Sequence, residues 1–358
     1  MMNAYKHYYE RRLQLGKELN KKKVIYLDTN YWLNLRDVVL ERNKKPNWKK
    51  LFEILASEVE DGKAVLPISR ETVIEVASQS DPQTFSKTVE IIDQLSTGVC
   101  VIPPDERRQE EIFNVVRALT QDVSKFPSLS NSVWTRFNFC ICSVHEVLPT
   151  IVGNQEKINW IDETWNRTML QQTNDMGISK IRSLPRFPDL SSILNERKIA
   201  LAGSVNSRKE IYLSELVHIL DECRYIIDQL VNQGRIGFSK TLDRTNLIDD
   251  LHEEASEMIY SLCKDNEAVD ELPSFHIITT IISAVCWDRA RKFKRTDWLD
   301  FSHAEAAIPY SDVFMTEKSL KAVLTRSDIA MNHIYRCTII SSVEDAVKCL
   351  ASKSYSQC

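Results

Sequence analysis

The sequence predicts an α/β fold: a small parallel sheet whose strands are separated by helices and, between the third and fourth strands, by a mostly helical insertion. Three observations predict it. Short apolar runs rich in β-formers alternate with helical patterns over the first hundred residues. Between about 105 and 295 no convincing strand pattern appears and helical periodicity dominates. Strand patterns then return near the end of the chain. Strands that alternate with helices join through right-handed crossovers into a parallel sheet.

Taken in order, residues 3–20 read as an amphipathic helix, and Val24-Ile25-Tyr26-Leu27 as a buried strand that stops at Asp28. Helical patterns follow at about 31–42 and 47–60. Ala64-Val65-Leu66-Pro67 reads as a second strand, and Ser69 as the cap of a helix reaching Glu75 and Ser78. A helix at about 82–95 leads to a third strand, Val99-Cys100-Val101-Ile102. The insertion that follows is broken by proline-bearing loops near Pro127, Pro149, Pro185–Pro188 and Pro273. Its last helix is read as Ser274–Lys294, and its apolar face predicts burial. Strands are expected at 312–316 and 336–341, and a closing helix at 343–352. The segments this suggests are 1–104 and 273–358 for the two halves of the sheet domain and 105–272 for the insertion.

Composition removes several function classes. The chain has 358 residues, enough for one domain with a large insertion or for two domains. It has only eight glycines and neither a G-x-G-x-x-G nor a G-x-x-x-x-G-K-[ST] motif, so a nucleotide-driven motor or a dinucleotide oxidoreductase has no support. Nine cysteines lack paired spacing, and the Cys140, Cys142 pair has no partner pair to complete a zinc site. An odd cysteine count and a polar N-terminus fit a reducing cytoplasm, and no apolar run is long enough to span a bilayer. The net charge is −4, so any affinity for nucleic acid must be local. Arg289, Arg291, Lys292, Lys294 and Arg295 form the cluster expected to hold substrate phosphates.

In open parallel sheets ligands bind at the carboxyl ends of the strands. Asp28 follows strand one, Glu75 lies two turns into the helix after strand two, Asp300 opens the helix before strand four, and Glu317 follows strand four. Carboxylates gathered from separate segments repel one another, and a divalent cation relieves the repulsion. Mg²⁺ takes hard oxygen ligands and retains water, which suits an acidic cup facing a phosphate. Thr29, Asn30 and Thr316 are positioned to orient the carboxylates or water around them. His303, one turn after Asp300, is not assigned as a ligand.

Leu27-Asp28-Thr29-Asn30, the serine-led helix to Glu75, and the stretch Asp300–Glu317 together resemble the PIN-like domain family. The last stretch carries most of the resemblance, as D-x-x-H-A-x-A-A-x-P-Y-x-D-x-F-x-T followed by Asp or Glu. The likeness covers roughly 24–102 and 273–341 and not the insertion. It implies a three-layer PIN-like fold and a Mg²⁺- or Mn²⁺-dependent nuclease, commonly a ribonuclease, with Asp28, Glu75 and Asp300 as metal ligands. By analogy alone it admits a toxin or defence effector. The chain departs from the family at Lys318, where many members carry an aspartate. Glu317 and Asp312 are the two candidates for the fourth acid, and the strand-end rule favours Glu317. The alternative is a non-catalytic RNA-binding or scaffold protein on a degenerate PIN-like fold. An oligomer or a regulatory protein partner is left open.

Overall fold

The computed structural model describes residues 3–121, 129–184, 186–221, 223–232, 235–236, 244–264 and 269–352. Pro127 and Pro185, read above as loop prolines, lie outside them. The chain forms two compact units. The first comprises Met1–Pro103, Ser130–Phe187 and Ala306–Cys358; the second comprises Pro104–Leu129 and Pro188–Glu305. This division gives 130–187 to the sheet unit and 273–305 to the helical unit, whereas the sequence boundaries ran at 105–272.

The first unit is α/β. Its strands are β1 (Lys23–Leu27), β2 (Ala64–Val65), β3 (Val99–Val101), β4 (Trp134–Arg136), β5 (Val313–Met315) and β6 (Thr338–Ile340). Four of them make a parallel sheet in the order β2-β1-β5-β6. Ile25, Tyr26 and Leu27 stand opposite Val313, Phe314 and Met315. None of the three β1 residues is exposed, and burial on both faces explains why the strand reads as a continuous apolar run. The helices Thr29–Val39, Pro46–Glu60, Arg70–Ala77 and Pro82–Ser96 contribute Trp32, Leu51, Val73 and Ile92 to the same core. All four fall close to the sequence-predicted spans.

Two expectations about the strands need correction. The third predicted strand does not join the parallel sheet as a full neighbour. Instead β3 pairs antiparallel with β4, Cys100 opposite Thr135, and touches the continuation of β2 only through a parallel bridge from Cys100 to Ile68. The segment Trp134–Arg136 falls where the sequence predicts a strandless insertion. At three residues it is too short to show period-two alternation, and the helix Phe137–Ile141 follows at once. Trp134 is therefore a strand residue, its ring edge-on to Tyr310 and its indole N–H donating to the Ser130 carbonyl at 2.7 Å.

The second unit is helical, with Pro104–Gln121, Ser191–Leu201, Arg208–Leu220, Cys223–Asn232, Arg244–Lys264 and Pro273–Trp287 among its elements. Every residue from Pro273 to Cys286 is buried, as the apolar pattern predicted. Glu111 is buried against the start of this helix, its carboxylate accepting from the backbone N–H of Ser274 at 2.9 Å and of Phe275 at 3.4 Å. A carboxylate there satisfies donors that the first helical turn leaves unpaired. The helix ends at Trp287, not at Lys294. Asp288 turns the chain by accepting from the N–H groups of Ala290 and Arg291, so Arg289–Arg295 is a loop. No helix among the described residues is long and apolar enough to cross a membrane.

Candidate metal centre

β1 delivers Asp28 to the carboxyl edge of the sheet. The Asp28 N–H extends the ladder by donating to the Met315 carbonyl at 2.9 Å, so the residue is fixed by sheet pairing before its side chain makes any contact. Its Oδ1 accepts from the Asn30 N–H at 3.4 Å, capping the helix Thr29–Val39. Its Oδ2 accepts from the Thr316 hydroxyl at 3.0 Å. Thr316 is itself held at the end of β5, where its N–H donates to the Ile340 carbonyl at 2.8 Å. Asp28 thus serves as a helix cap and as an edge carboxylate at once. Burial, followed by the Asp28 charge, pushes the neighbouring Tyr31 phenol well above its ordinary range.

Glu75 comes from the helix Arg70–Ala77. A carboxylate oxygen of Glu75 lies within 4.8 Å of one on Asp28. Asp28 is buried and Glu75 is half-buried. Two carboxylates at this distance repel each other in a partly dry setting, which favours a shared proton or a cation. The start of the Glu75 helix is held in an unforeseen way. Ser69 occupies the cap position, but its hydroxyl makes no bond to the helix backbone. It is hydrogen-bonded at 2.6 Å to the Tyr26 hydroxyl, from the middle of β1. Strand one therefore positions both acids, one through its backbone and one through this side-chain link.

The other predicted residues separate into three groups. Glu317 follows β5 as expected, but its side chain is exposed and accepts from the Ser319 hydroxyl. Asp312 sits at the opposite, amino edge, where its Oδ2 accepts from the Val24 N–H at 2.7 Å. Thr29 is buried, its hydroxyl without a hydrogen-bond partner among the described residues, whereas Asn30 is exposed and accepts at Oδ1 from Asn34.

Asp300 and His303 belong to the second unit. Both are carried by the helix Asp297–Ala307, which continues into the first unit at Ala306 and precedes β5. Residues three apart share a helix face, so the two side chains leave the helix on the same side. His303 is buried and Asp300 half-buried. Glu305, within the same motif, is committed elsewhere: it is fully buried between Arg107 at 3.5 Å and Arg108 at 3.2 Å.

Arg289, Lys292, Lys294 and Arg295 are exposed on their loop, and Arg291 is half-buried against Asp297 at 3.2 Å. Sequence reasoning missed what fixes this loop. The Lys198 ammonium donates to the carbonyls of Val285, at 2.8 Å, and of Asp288 and Arg291. The Asn195 amide brackets Phe293, donating to its carbonyl and accepting from its N–H, each at 2.9 Å. A lysine and an asparagine on a distant helix carry no sequence signal for such a clamp.

Comparison of the chain with family models, curated proteins and solved structures finds no match.

Proposed function

We propose that the chain is a divalent-metal-dependent phosphodiesterase of the PIN-like kind, acting on RNA in the cytoplasm. The observation that carries this reading is the approach of the Asp28 and Glu75 carboxylates to within 4.8 Å at the carboxyl edge of a parallel sheet. Hard oxygens at that separation suit Mg²⁺ or Mn²⁺, whose bonds to oxygen are roughly 2.0–2.2 Å. In the proposed centre Asp28 and Glu75 are the inner ligands. Asp300, in the first turn of the helix Asp297–Ala307, is the third ligand that the family resemblance implies, and Glu317, exposed after β5, is its candidate fourth. A bound divalent cation would lower the pKa of water and stabilise charge on the phosphate.

The residues of the chain have separable tasks in this scheme. Thr316 holds one Asp28 oxygen, which leaves the carboxylate a defined direction. The Tyr26–Ser69 link sets the helix that presents Glu75. Arg289, Arg291, Lys292, Lys294 and Arg295 bind substrate phosphates ahead of Asp300. The second reading, a non-catalytic RNA-binding protein on this fold, is favoured by Lys318, a cation where the resembling family carries an acid. Mn²⁺ titration of the pure chain separates the two. Saturable binding that disappears in Asp28→Asn supports the metal centre, and its absence in the unaltered chain supports the second reading.

A further inference from the structure

The second unit contains a cleft of about 450 Å³ between the helices Ser191–Leu201 and Pro273–Trp287 and the start of the basic loop. Its walls are apolar: Ile199, Leu201, Val205, Ile211 and the Trp287 indole. Its rim is cationic, with Arg289 and Lys292 exposed on it. Among the described residues neither cation has an acidic partner, in contrast to Arg291, which is paired with Asp297. The third cation in the cleft, Lys198, is spent on backbone carbonyls, and Asn195 is spent on Phe293. The cleft therefore offers a mainly apolar slot with the Cys286 thiol in its wall and Trp287 40% exposed, next to two positive charges.

We propose that this cleft takes one unpaired nucleobase of a single-stranded nucleic acid, stacked against Trp287, with the flanking phosphates on Arg289 and Lys292. The proposal rests on the reading of the chain as acting on nucleic acid, and it deepens that reading by selecting single strands. A base in a duplex is already stacked on both faces and paired along its edge, so it is not available to such a slot. The ligand chemistry follows from the lining. Stacking on an aromatic ring tolerates any base, and cations placed beside it track the backbone. Recognition carried by stacking and by backbone phosphates predicts weak sequence preference. The clamp from Lys198 and Asn195 gives the site its rigidity, because Arg289 and Lys292 lie on the loop those two residues hold. Asp300 lies eight positions after Lys292, a reach of at most about 28 Å. The cleft is thus a few nucleotides from the acid that the same strand would meet.

The test uses the full chain in EDTA, so that no cleavage contributes, and a decamer oligonucleotide carrying one central 2-aminopurine, whose emission falls on stacking. The expected result is saturable quenching by the single strand, with the duplex of the same decamer bound at least about tenfold more weakly. Trp287→Leu should abolish the quenching while leaving most of the binding seen by anisotropy. Ala202→Trp, which fills the cleft from its exposed wall, should do the same without removing the indole. Arg289→Ala with Lys292→Ala should weaken binding roughly tenfold and flatten its salt dependence by about 1.4 in log–log slope. Absence of quenching, quenching that survives both Trp287→Leu and Ala202→Trp, or equal affinity for the duplex overturns the proposal. A chain that shows the full pattern but does not cut RNA with Mn²⁺ leaves this site standing and defeats the nuclease reading instead.

Discussion

The Thr316 hydroxyl donates to Asp28 Oδ2 at 3.0 Å, joining the ends of the two central strands across the edge where the candidate metal centre lies. Such a contact fixes the direction in which a ligating carboxylate points. Thr316→Val, nearly equal in volume, should therefore weaken Mn²⁺ binding about 10–100-fold. Thr316→Ser should restore most of it. Isothermal titration with Mn²⁺ checks both, and equal affinity in Thr316→Val and the unaltered chain removes the contact from the centre.

Asp28→Asn should leave the metal-free fold as stable as before or more so. The change removes one charge from a repulsive pair, and asparagine caps a helix as well as aspartate does. Thermal unfolding in EDTA reads this directly. In saturating Mn²⁺ the unaltered chain should gain several degrees in Tm while Asp28→Asn gains none, because only a state that binds the ion is stabilised by it.

Much of this arrangement was legible in the sequence, and the parts that were not have physical reasons. Strands one, two, four and five were visible because burial on both faces leaves unbroken apolar runs, as in Val24–Leu27. The positions of Asp28 and Thr316 followed from the ends of those runs. β4 was hidden because three residues cannot show a period. The end of the helix at Trp287 was hidden because the stop is made by Asp288 and by Lys198, ninety residues away in sequence. Ser69 was read as a helix cap because its residue type and place are those of one. Its hydroxyl bonds Tyr26 instead, a contact between elements that local pattern cannot reveal.

That contact yields a third expectation. Tyr26→Phe leaves the buried Ser69 hydroxyl without its partner and should cost about 1–3 kcal/mol of stability. Chemical denaturation measures it. The paired change Tyr26→Phe with Ser69→Ala should cost less than the sum of the two single changes, since no unpaired donor remains.

Glu111 should make the helical unit sensitive to pH. Burial, opposed by its hydrogen bonds to Ser274 and Phe275 and reinforced by the Glu305 charge, pushes its carboxyl from 4.5 up to about 8. The folded chain then binds a proton that the unfolded chain has lost between those values, so unfolding free energy falls as pH rises through that window. His276 acts in the opposite sense at the acid end. Burial and the Arg208 charge lower it from 6.5 to about 4, so its contribution is lost as pH falls through that range. The net decline should be clearest between about pH 6.5 and 8, and Glu111→Gln should flatten it. Denaturant melts at about pH 6.5, 7.25 and 8 provide the comparison.

The most direct measurement of the central claim is incubation of the pure chain with total RNA and Mn²⁺, followed by mapping of the cut ends. Three samples run beside it: the chain with EDTA, Asp28→Asn, and Asp300→Asn. The account predicts cuts at defined positions in the first sample and none in the other three, with both variants folded by circular dichroism. Equal cutting by the unaltered chain and by both variants, or cutting that persists in EDTA, contradicts a metal-dependent nuclease that requires Asp28 and Asp300.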